Sequence, residues 1–193
     1  LTIVDTDGSG NSRSLAPELD IRGTADWSAD GKWIVVSGTL VGKDGTSQGI
    51  FKVPVDASGP PVLLAEGLIS HPVWSPGGST IHYAGRDDGG IAQLMALREG
   101  SPPTELYAQM SAVVGNHRFI PDGTGVVFVQ GTLRSPEFWL LDLRTGQTRQ
   151  LTRISGQSSL GDIRGFDISS DGKHIIFDRV SENSDVVLIK RSR

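Results

Sequence analysis

Ser47 fits a known nucleophile pattern, because it lies in the sequence GTSQG at positions 45–49. That G-x-S-x-G pattern marks a serine hydrolase when it forms a sharp turn between a strand and a helix. Here the neighbouring glycines and polar residues predict a loop between two strands, with no helix after it. We therefore interpret the match as accidental and predict that the chain carries no catalytic residue.

Four histidines, His71, His82, His117 and His174, are dispersed along the chain and none has the close pairing that is typical of a zinc site. His82 lies among apolar residues, so we predict a hydrogen-bonded histidine of the core. His71 directly precedes Pro72 at the entrance of a predicted innermost strand. It is placed either to meet a ligand or to cap the strand.

The segment DTDGSGN at positions 5–11 resembles a calcium loop, because Asp5, Asp7, Ser9 and Asn11 alternate as oxygen ligands do. It lacks the distal bidentate acid of such loops, and Asp-Gly-Ser-Gly is also typical of a turn between strands. Both interpretations remain open. Apart from this calcium candidate, we predict no metal and no other cofactor.

The composition limits the classes of partner. A net charge of −4 over 193 residues leaves no positive field for phosphates, which argues against nucleic acid. No stretch reaches the roughly 18 apolar residues of a membrane helix, so we predict no membrane insertion. The absence of cysteine excludes disulfides and thiolate metal sites. Because the chain begins inside a strand-like segment, LTIVDTDG, we expect that sequence upstream has been removed.

A repeat organises the chain. The segments ADWSADGKWIVVSG, PVWSPGGSTIHYAG, HRFIPDGTGVVFVQG and FDISSDGKHIIFDR align on Gly31, Gly78, Gly123 and Gly172, about 45 to 49 residues apart. In each, a strand ends at a large residue, a turn follows, and a second strand has three consecutive apolar positions, as in Ile34-Val35-Val36. Consecutive apolar residues indicate a strand that is covered on both faces. Trp27, Trp74 and Phe119 are the predicted structural anchors, each filling the wedge between two sheets.

The segments WSADG, WSPGG, FIPDG and ISSDG, with QLTR at 150–153, resemble the repeats of TolB-like β-propellers. The resemblance implies an all-β fold of four-stranded antiparallel blades. About four blades are present, in an incomplete ring that is the C-terminal part of a longer propeller. We divide the chain into 1–19 (half a blade), 20–67, 68–108, 109–153 and 154–193. The resemblance alone also implies a bacterial protein in the periplasm.

The predicted strands leave the ring open. The chain begins with the third and fourth strands of one blade and ends with the first three of another, the last being Val186–Ile189. Either sequence upstream of the chain or another chain completes the ring. Open strand edges also favour self-association.

Two classes of function are compatible with this fold. The first is a non-catalytic binding module of a larger protein, with a protein or peptide as partner. The second is the propeller segment of an enzyme, either the gate of a prolyl oligopeptidase-like peptidase or a TolB-like sugar-acid lyase. Longer loops are predicted after second and fourth strands, for example Gly38–Gly49 and Thr132–Glu137. Since these loops share one face, we expect the partner to bind there. The candidate binding residues are Arg22, His71, Asn116, Arg164, Arg86, Arg134 and Glu137.

Overall fold

Strands and the turns between them make up the part of the chain that the computed structural model describes. The described residues are 1–42, 45–86, 92–110, 116–132, 135–154, 163 and 165–178. They form three four-stranded antiparallel sheets and two two-stranded pairs, in which each strand hydrogen-bonds to the next in sequence. The predicted all-β class and the four-stranded blade are therefore confirmed.

We name the three full sheets blades A, B and C. Blade A consists of β3 (Leu19–Trp27), β4 (Trp33–Gly42), β5 (Gly45–Pro54) and β6 (Val62–Glu66). Blade B consists of β7 (Ser70–Trp74), β8 (Ile81–Arg86), β9 (Ala92–Leu97) and β10 (Thr104–Met110). Blade C consists of β11 (His117–Phe119), β12 (Gly125–Thr132), β13 (Ser135–Asp142) and β14 (Thr148–Gln150).

The two remaining pairs flank these blades. The N-terminal pair is β1 (Thr2–Val4) with β2 (Ser12–Ser14), and the C-terminal pair is β15 (Phe166–Ile168) with β16 (Ile175–Phe177). No hydrogen-bonded strand pairing joins one pair to the other within the described residues. These residues therefore form an open arc, as predicted. The predicted third strand of the last blade, Val186–Ile189, lies outside the described residues.

The aligned glycines close the turns between first and second strands. In blade A, Gly31 has φ +69°, a left-handed conformation that glycine adopts without steric cost. Asp30 fixes the same turn, because its Oδ1 accepts hydrogen bonds from the Ser28 hydroxyl at 2.6 Å and the Lys32 amide at 3.1 Å. The hydrogen bond from Ser28 is the main reason that the pKa of Asp30 lies below its ordinary value. Short side chains that hydrogen-bond to their own turn explain why this segment recurs.

The core is divided into wedges, one between each two neighbouring sheets. Ile34 and Val36 point towards the N-terminal pair, whereas Val35 between them packs against Ile81 and Tyr83 of blade B. All three β4 residues are almost fully buried. A strand between two neighbours has no solvent face, which is why its apolar positions are consecutive.

Trp27 departs from its predicted role. Trp74 packs into the wedge between blades A and B, and Phe119 into the wedge between B and C. Trp27, at the same position of the repeat, is 49% exposed. The anchor packs towards the preceding sheet, and on that side of blade A the described chain supplies only β1 and β2, which cover its outer part. The prediction that Trp27 is buried is therefore wrong for the described structure.

The predicted long loops Gly38–Gly49 and Thr132–Glu137 are also wrong. β4 continues to Gly42 and β5 begins at Gly45, so Ser47 lies within a strand, opposite Leu40. Gly49 is needed there because a Cβ atom would collide with the carbonyl oxygen of Ala65 in the adjacent strand. Glycine in a strand permits such a close approach of backbones, and the sequence analysis took it for a sign of a loop.

Candidate functional site

The first strand of each sheet lies innermost, next to the axis around which propeller blades are arranged. β3 packs beside β7, and β7 beside β11. Side chains that leave these strands between neighbouring sheets come close to residues of the next blade. Polar groups at these positions therefore lie between blades at the inner edge of the arc.

Asp26 projects from β3 towards blade B. Its Oδ2 accepts a hydrogen bond of 2.7 Å from the backbone amide of Trp74. Burial raises the pKa of Asp26 above its ordinary value, although the amides of Trp74 and Trp27 and the charge of Arg118 oppose this shift. Asp26 therefore joins two blades and places a half-buried carboxylate at the inner edge of the arc.

Arg118 supplies the positive charge near this carboxylate. It lies in β11 of blade C, and its Nη1 donates a hydrogen bond of 2.9 Å to the carbonyl oxygen of His117. Its charge influences the pKa of both Asp26 in blade A and His71 in blade B.

His71 contributes from β7 of blade B. Its backbone is left-handed, with φ +53°, which is uncommon outside glycine and costs on the order of 1 kcal/mol. Burial, and secondarily the charge of Arg118, lowers the pKa of His71, so its imidazole is neutral at pH 7. The Nδ1 atom is buried and has no hydrogen-bond partner among the described residues. Strained backbone and unpaired buried polar atoms concentrate at functional sites.

Two further polar atoms of the same strands are also unsatisfied. The Thr24 hydroxyl in β3 and the Trp74 indole nitrogen in β7 are buried without a partner in the described structure. Most buried polar atoms in folded proteins do have a partner. The boundary between β3 and β7 thus has hydrogen-bonding capacity that the described protein atoms leave unused.

We call Asp26, His71 and Arg118 the channel cluster. It combines a carboxylate, a neutral imidazole and a guanidinium, which together accept and donate hydrogen bonds. Across the described ranges, no group of three or more His, Cys, Asp or Glu side chains is arranged to hold a metal ion. The chemistry that the cluster offers is recognition of polar and charged groups.

Among the predicted binding residues whose side chains the structure describes, only His71 lies in this cluster. Arg22 is exposed on β3, where it forms a 3.0 Å ion pair with Asp20. Asn116 is buried directly before β11. The side chain of Arg86 is outside the description, and Arg134 and Arg164 lie outside the described residues altogether.

Glu137 holds the chain together locally. It is buried in β13, and its Oε2 accepts hydrogen bonds from the Thr152 hydroxyl at 2.7 Å and the Ile154 amide at 2.9 Å. These hydrogen bonds hold the segment that follows β14 against blade C. A ligand-binding role for Glu137, as for the other candidates, stays a prediction.

His82 lies in the core, as predicted, but the predicted hydrogen bond does not involve its Nδ1. That nitrogen has no partner among the described residues, and the ring lies 4.5 Å from the ring of Phe119, centroid to centroid. Burial lowers the pKa of His82 from 6.5 to about 4. The imidazole is therefore neutral over most of the physiological range.

Sequence reasoning missed Asp26 and Arg118. Both directly precede the large residue that ends an innermost strand, and Asp167 occupies the same position of the last repeat. A charge that recurs at one position of an otherwise apolar segment is the signal that could have found them.

The predicted calcium loop is a compact turn between β1 and β2. The Ser9 amide donates to Asp7 Oδ1 at 2.8 Å, and the Asn11 amide donates to the Ser9 hydroxyl oxygen at 3.2 Å. Hydrogen bonds from Ser9, that of its side chain first and that of its amide second, lower the pKa of Asp7. At least two of the proposed oxygen ligands already stabilise the turn.

Comparison with known proteins identifies the fold. No protein-family model matches the chain, and no curated protein is similar to it in sequence. Among solved structures, TolB from Acinetobacter baumannii superposes with a TM-score of 0.71 at 20% identity, covering 95% of this chain and 44% of that one. The chain has the fold of a TolB-like β-propeller. Putative TolB from Agrobacterium tumefaciens follows with a TM-score of 0.61 at 18% identity, over 88% of this chain and 57% of that one.

An enzyme shares this TolB-like fold. Oligogalacturonate lyase from Vibrio parahaemolyticus has a TM-score of 0.63 at 14% identity, over 91% of this chain and 52% of that one. The chain thus spans roughly half the length of each of these three proteins, which fits a part of a larger propeller. No helix within the described ranges is long and apolar enough to cross a membrane.

Proposed function

We propose that the chain is a non-catalytic binding module of a larger TolB-like propeller protein, and that it recognises a protein or peptide at the channel cluster. The observation that carries the proposal is the convergence of Asp26, His71 and Arg118 from three different blades. Each is half-buried, and His71 retains a buried nitrogen without a partner in the described structure. Such groups are placed for a ligand that supplies complementary hydrogen bonds.

A peptide matches the chemistry of the cluster. Its amide groups both donate and accept hydrogen bonds, and its termini and side chains carry either charge. Arg118 suits a carboxylate of the ligand, whereas Asp26 suits an amide or an ammonium group. All three side chains are half-buried, so they lose less side-chain entropy on binding than fully exposed residues would.

A second candidate is supported by the fold comparison alone. A solved structure similar to this chain is described as an oligogalacturonate lyase, and the chain would then form part of the propeller of a sugar-acid lyase. Peptide binding at the channel cluster and turnover of an oligogalacturonate distinguish the two candidates.

A random peptide library displayed on phage tests the proposal. Peptides enriched on the immobilised chain are synthesised, and their affinities for the wild type and Arg118→Ala are measured by calorimetry. A charged hydrogen bond in a half-buried site is worth about 1.5–3 kcal/mol, so the variant should bind about tenfold to a hundredfold more weakly.

Arg149→Ala is the matched control, because Arg149 is an exposed arginine on the outermost strand of blade C. It should bind the selected peptides as the wild type does, and circular dichroism should show that both variants remain folded. No enriched peptide, or equal affinities for wild type and Arg118→Ala, would refute the peptide-binding role. Release of unsaturated product from an oligogalacturonate would support the lyase instead.

A further inference from the structure

Few positive charges are shielded from water in the part of the chain whose side chains the structure describes. Among its lysines and arginines, only Lys52 and Arg118 are not exposed. Lys52 has an acidic partner, because its Nζ lies 2.8 Å from Oε1 of Glu99. Arg118 takes part in none of the ion pairs that the described residues form. Shielded charges in folded proteins usually have a partner of opposite sign, so the environment of Arg118 favours an anion.

The guanidinium of Arg118 keeps most of its hydrogen-bonding capacity. Its Nη1 donates a hydrogen bond of 2.9 Å to the carbonyl oxygen of His117, the preceding residue. With the described residues, this side chain forms no other hydrogen bond. A guanidinium has five N–H donors in one plane, and a carboxylate accepts two of them at once in a bidentate pair. Enough donors therefore remain on Arg118 for such a pair.

Asp26 does not neutralise Arg118. The charge of Arg118 contributes to the pKa of Asp26, but the two side chains form no ion pair. Oδ2 of Asp26 instead accepts a hydrogen bond of 2.7 Å from the backbone amide of Trp74 in blade B. This carboxylate is thus held by a different group, and the positive charge of Arg118 is left for a ligand.

His71 does not neutralise Arg118 either. Burial, and secondarily the charge of Arg118, lowers the pKa of His71, so its imidazole carries no charge at pH 7. A register shift between Ser70 and Val73 places His71 in a bulge of β7, and bulges are frequent next to functional sites, where they redirect a side chain. A neutral imidazole can donate a hydrogen bond to an oxygen of a ligand without changing the net charge of the cluster.

The surroundings of Arg118 are formed by sheets that the structure describes on both sides. Blade C, which carries Arg118 in β11, shares one wedge with blade B and another with the C-terminal pair. β11 itself packs beside β7 of blade B. The partial burial of Arg118 is therefore a property of the arc itself.

We propose that the ligand group that Arg118 binds is a carboxylate, so that the channel cluster selects peptides that present one over peptides that do not. The inference rests on the peptide-binding role proposed above and specifies its chemistry. The carboxylate comes either from the C-terminus of the peptide or from an acidic side chain, since both offer the same two oxygens. Arginine suits this group better than lysine, because its planar fork matches both oxygens. Asp26, a negative charge of the same cluster, disfavours a second carboxylate.

NMR spectroscopy of the full chain tests the proposal. The Nε–Hε signal of Arg118, assigned by its absence in Arg118→Lys, is followed during titration with three short probes. These are acetyl-triglycine with a free C-terminus, the same peptide with an amidated C-terminus, and amidated acetyl-Gly-Asp-Gly. At least one of the two acidic probes should shift the signal and bind about tenfold more tightly than the neutral probe, because its hydrogen bonds to Arg118 are charged on both sides. The acidic probe that does so identifies the source of the carboxylate.

Two controls separate recognition by Arg118 from general charge attraction. The signal of Arg149, an exposed arginine in β14, should not shift with any probe. Arg118→Lys keeps the positive charge but not the planar fork, so it should bind the acidic probe about tenfold more weakly than the wild type does. Circular dichroism should show that this variant remains folded.

Equal binding of the acidic and neutral probes, or an Arg118 signal that none of them shifts, overturns the carboxylate inference. A shift of Arg149 that matches that of Arg118 overturns it as well. If peptides selected on the chain still bind the wild type more tightly than Arg118→Ala, the peptide-binding role stands without this inference. A chain that binds neither the probes nor any selected peptide refutes both.

Discussion

Acidification should destabilise the chain through His82. This side chain is 5% exposed, packs against Phe119, and has no partner for Nδ1 among the described residues. A positive charge at this position is unfavourable, because the side chain is almost completely removed from water and its Nδ1 has no acceptor among the described residues. Unfolding returns the imidazole to water and restores its ordinary proton affinity.

The size of the effect follows from the two pKa values. The pKa of His82 is about 4 in the folded chain and 6.5 when the side chain is in water. Since the folded value is the lower one, the stabilising contribution is complete above pH 6.5 and is lost as the pH falls to about 4. The difference corresponds to about 3 kcal/mol of unfolding free energy, a large part of the usual stability of a domain.

Urea denaturation of the wild type and His82→Ile, at a series of pH values from 7 to about 4, measures this contribution. Isoleucine is the residue at the equivalent position of the last repeat, Ile176. The wild type should lose about 3 kcal/mol more than the variant over this range. His71 and Asp26 are present in both proteins, so their own pH dependence cancels in the difference.

His174→Gln is the control, because it removes an imidazole whose side chain is 80% exposed. The loss of unfolding free energy on acidification should differ more between the wild type and His82→Ile than between the wild type and His174→Gln. If the stabilities of wild type and His82→Ile fall in parallel between pH 6.5 and 4, the argument that burial keeps His82 neutral is refuted.

Two further results are expected. Trp74→Ala should lower the unfolding free energy by about 3 kcal/mol or more. Trp27→Ala changes the same position of the repeat, but this side chain is half-exposed, so the loss of unfolding free energy should be smaller. Urea denaturation measures both losses, and equal losses would contradict the difference in packing. Calorimetric titration of the chain with calcium should give no binding heat, because Asp7 and Ser9 already accept amide hydrogen bonds of their turn; a saturable heat that disappears in Asp7→Asn would contradict this.

The fold could be predicted because its determinants are local and recur. Asp30 and Gly31 form a turn by contacts within a few residues, and Ile34-Val35-Val36 requires a cover on each face wherever the strand is placed. Each of these signals occurs several times in the sequence, so an accidental match at one position does not change the predicted fold.

The errors concern properties that depend on distant parts of the chain. Nothing in the sequence around Trp27 distinguishes it from Trp74, because the difference lies in which strands are available to cover each ring. Gly49 shows the same limitation, since its need for a small residue comes from Ala65 in a neighbouring strand.

Most of the candidate site could not be predicted from the sequence, because it also depends on distant parts of the chain. Asp26, His71 and Arg118 are separated by more than forty residues at each step, and only the curvature of the arc brings them near one another. His71 was found because its place before Pro72 is visible locally. Asp26 and Arg118 can be assigned to one site only when the arrangement of the innermost strands is known.

Division of the core into separate wedges has a mechanical consequence. Each wedge is shared by only two adjacent sheets. The stability of the arc against force or heat is therefore a sum of contributions from neighbouring sheets, as in a linear array of repeats. Blades A, B and C each have a described sheet on both sides, whereas each terminal pair has a described sheet on one side only, and blade B lies furthest from both pairs. Fraying should therefore start at the ends and advance inwards one sheet at a time, leaving the amides of blade B the slowest to exchange with solvent.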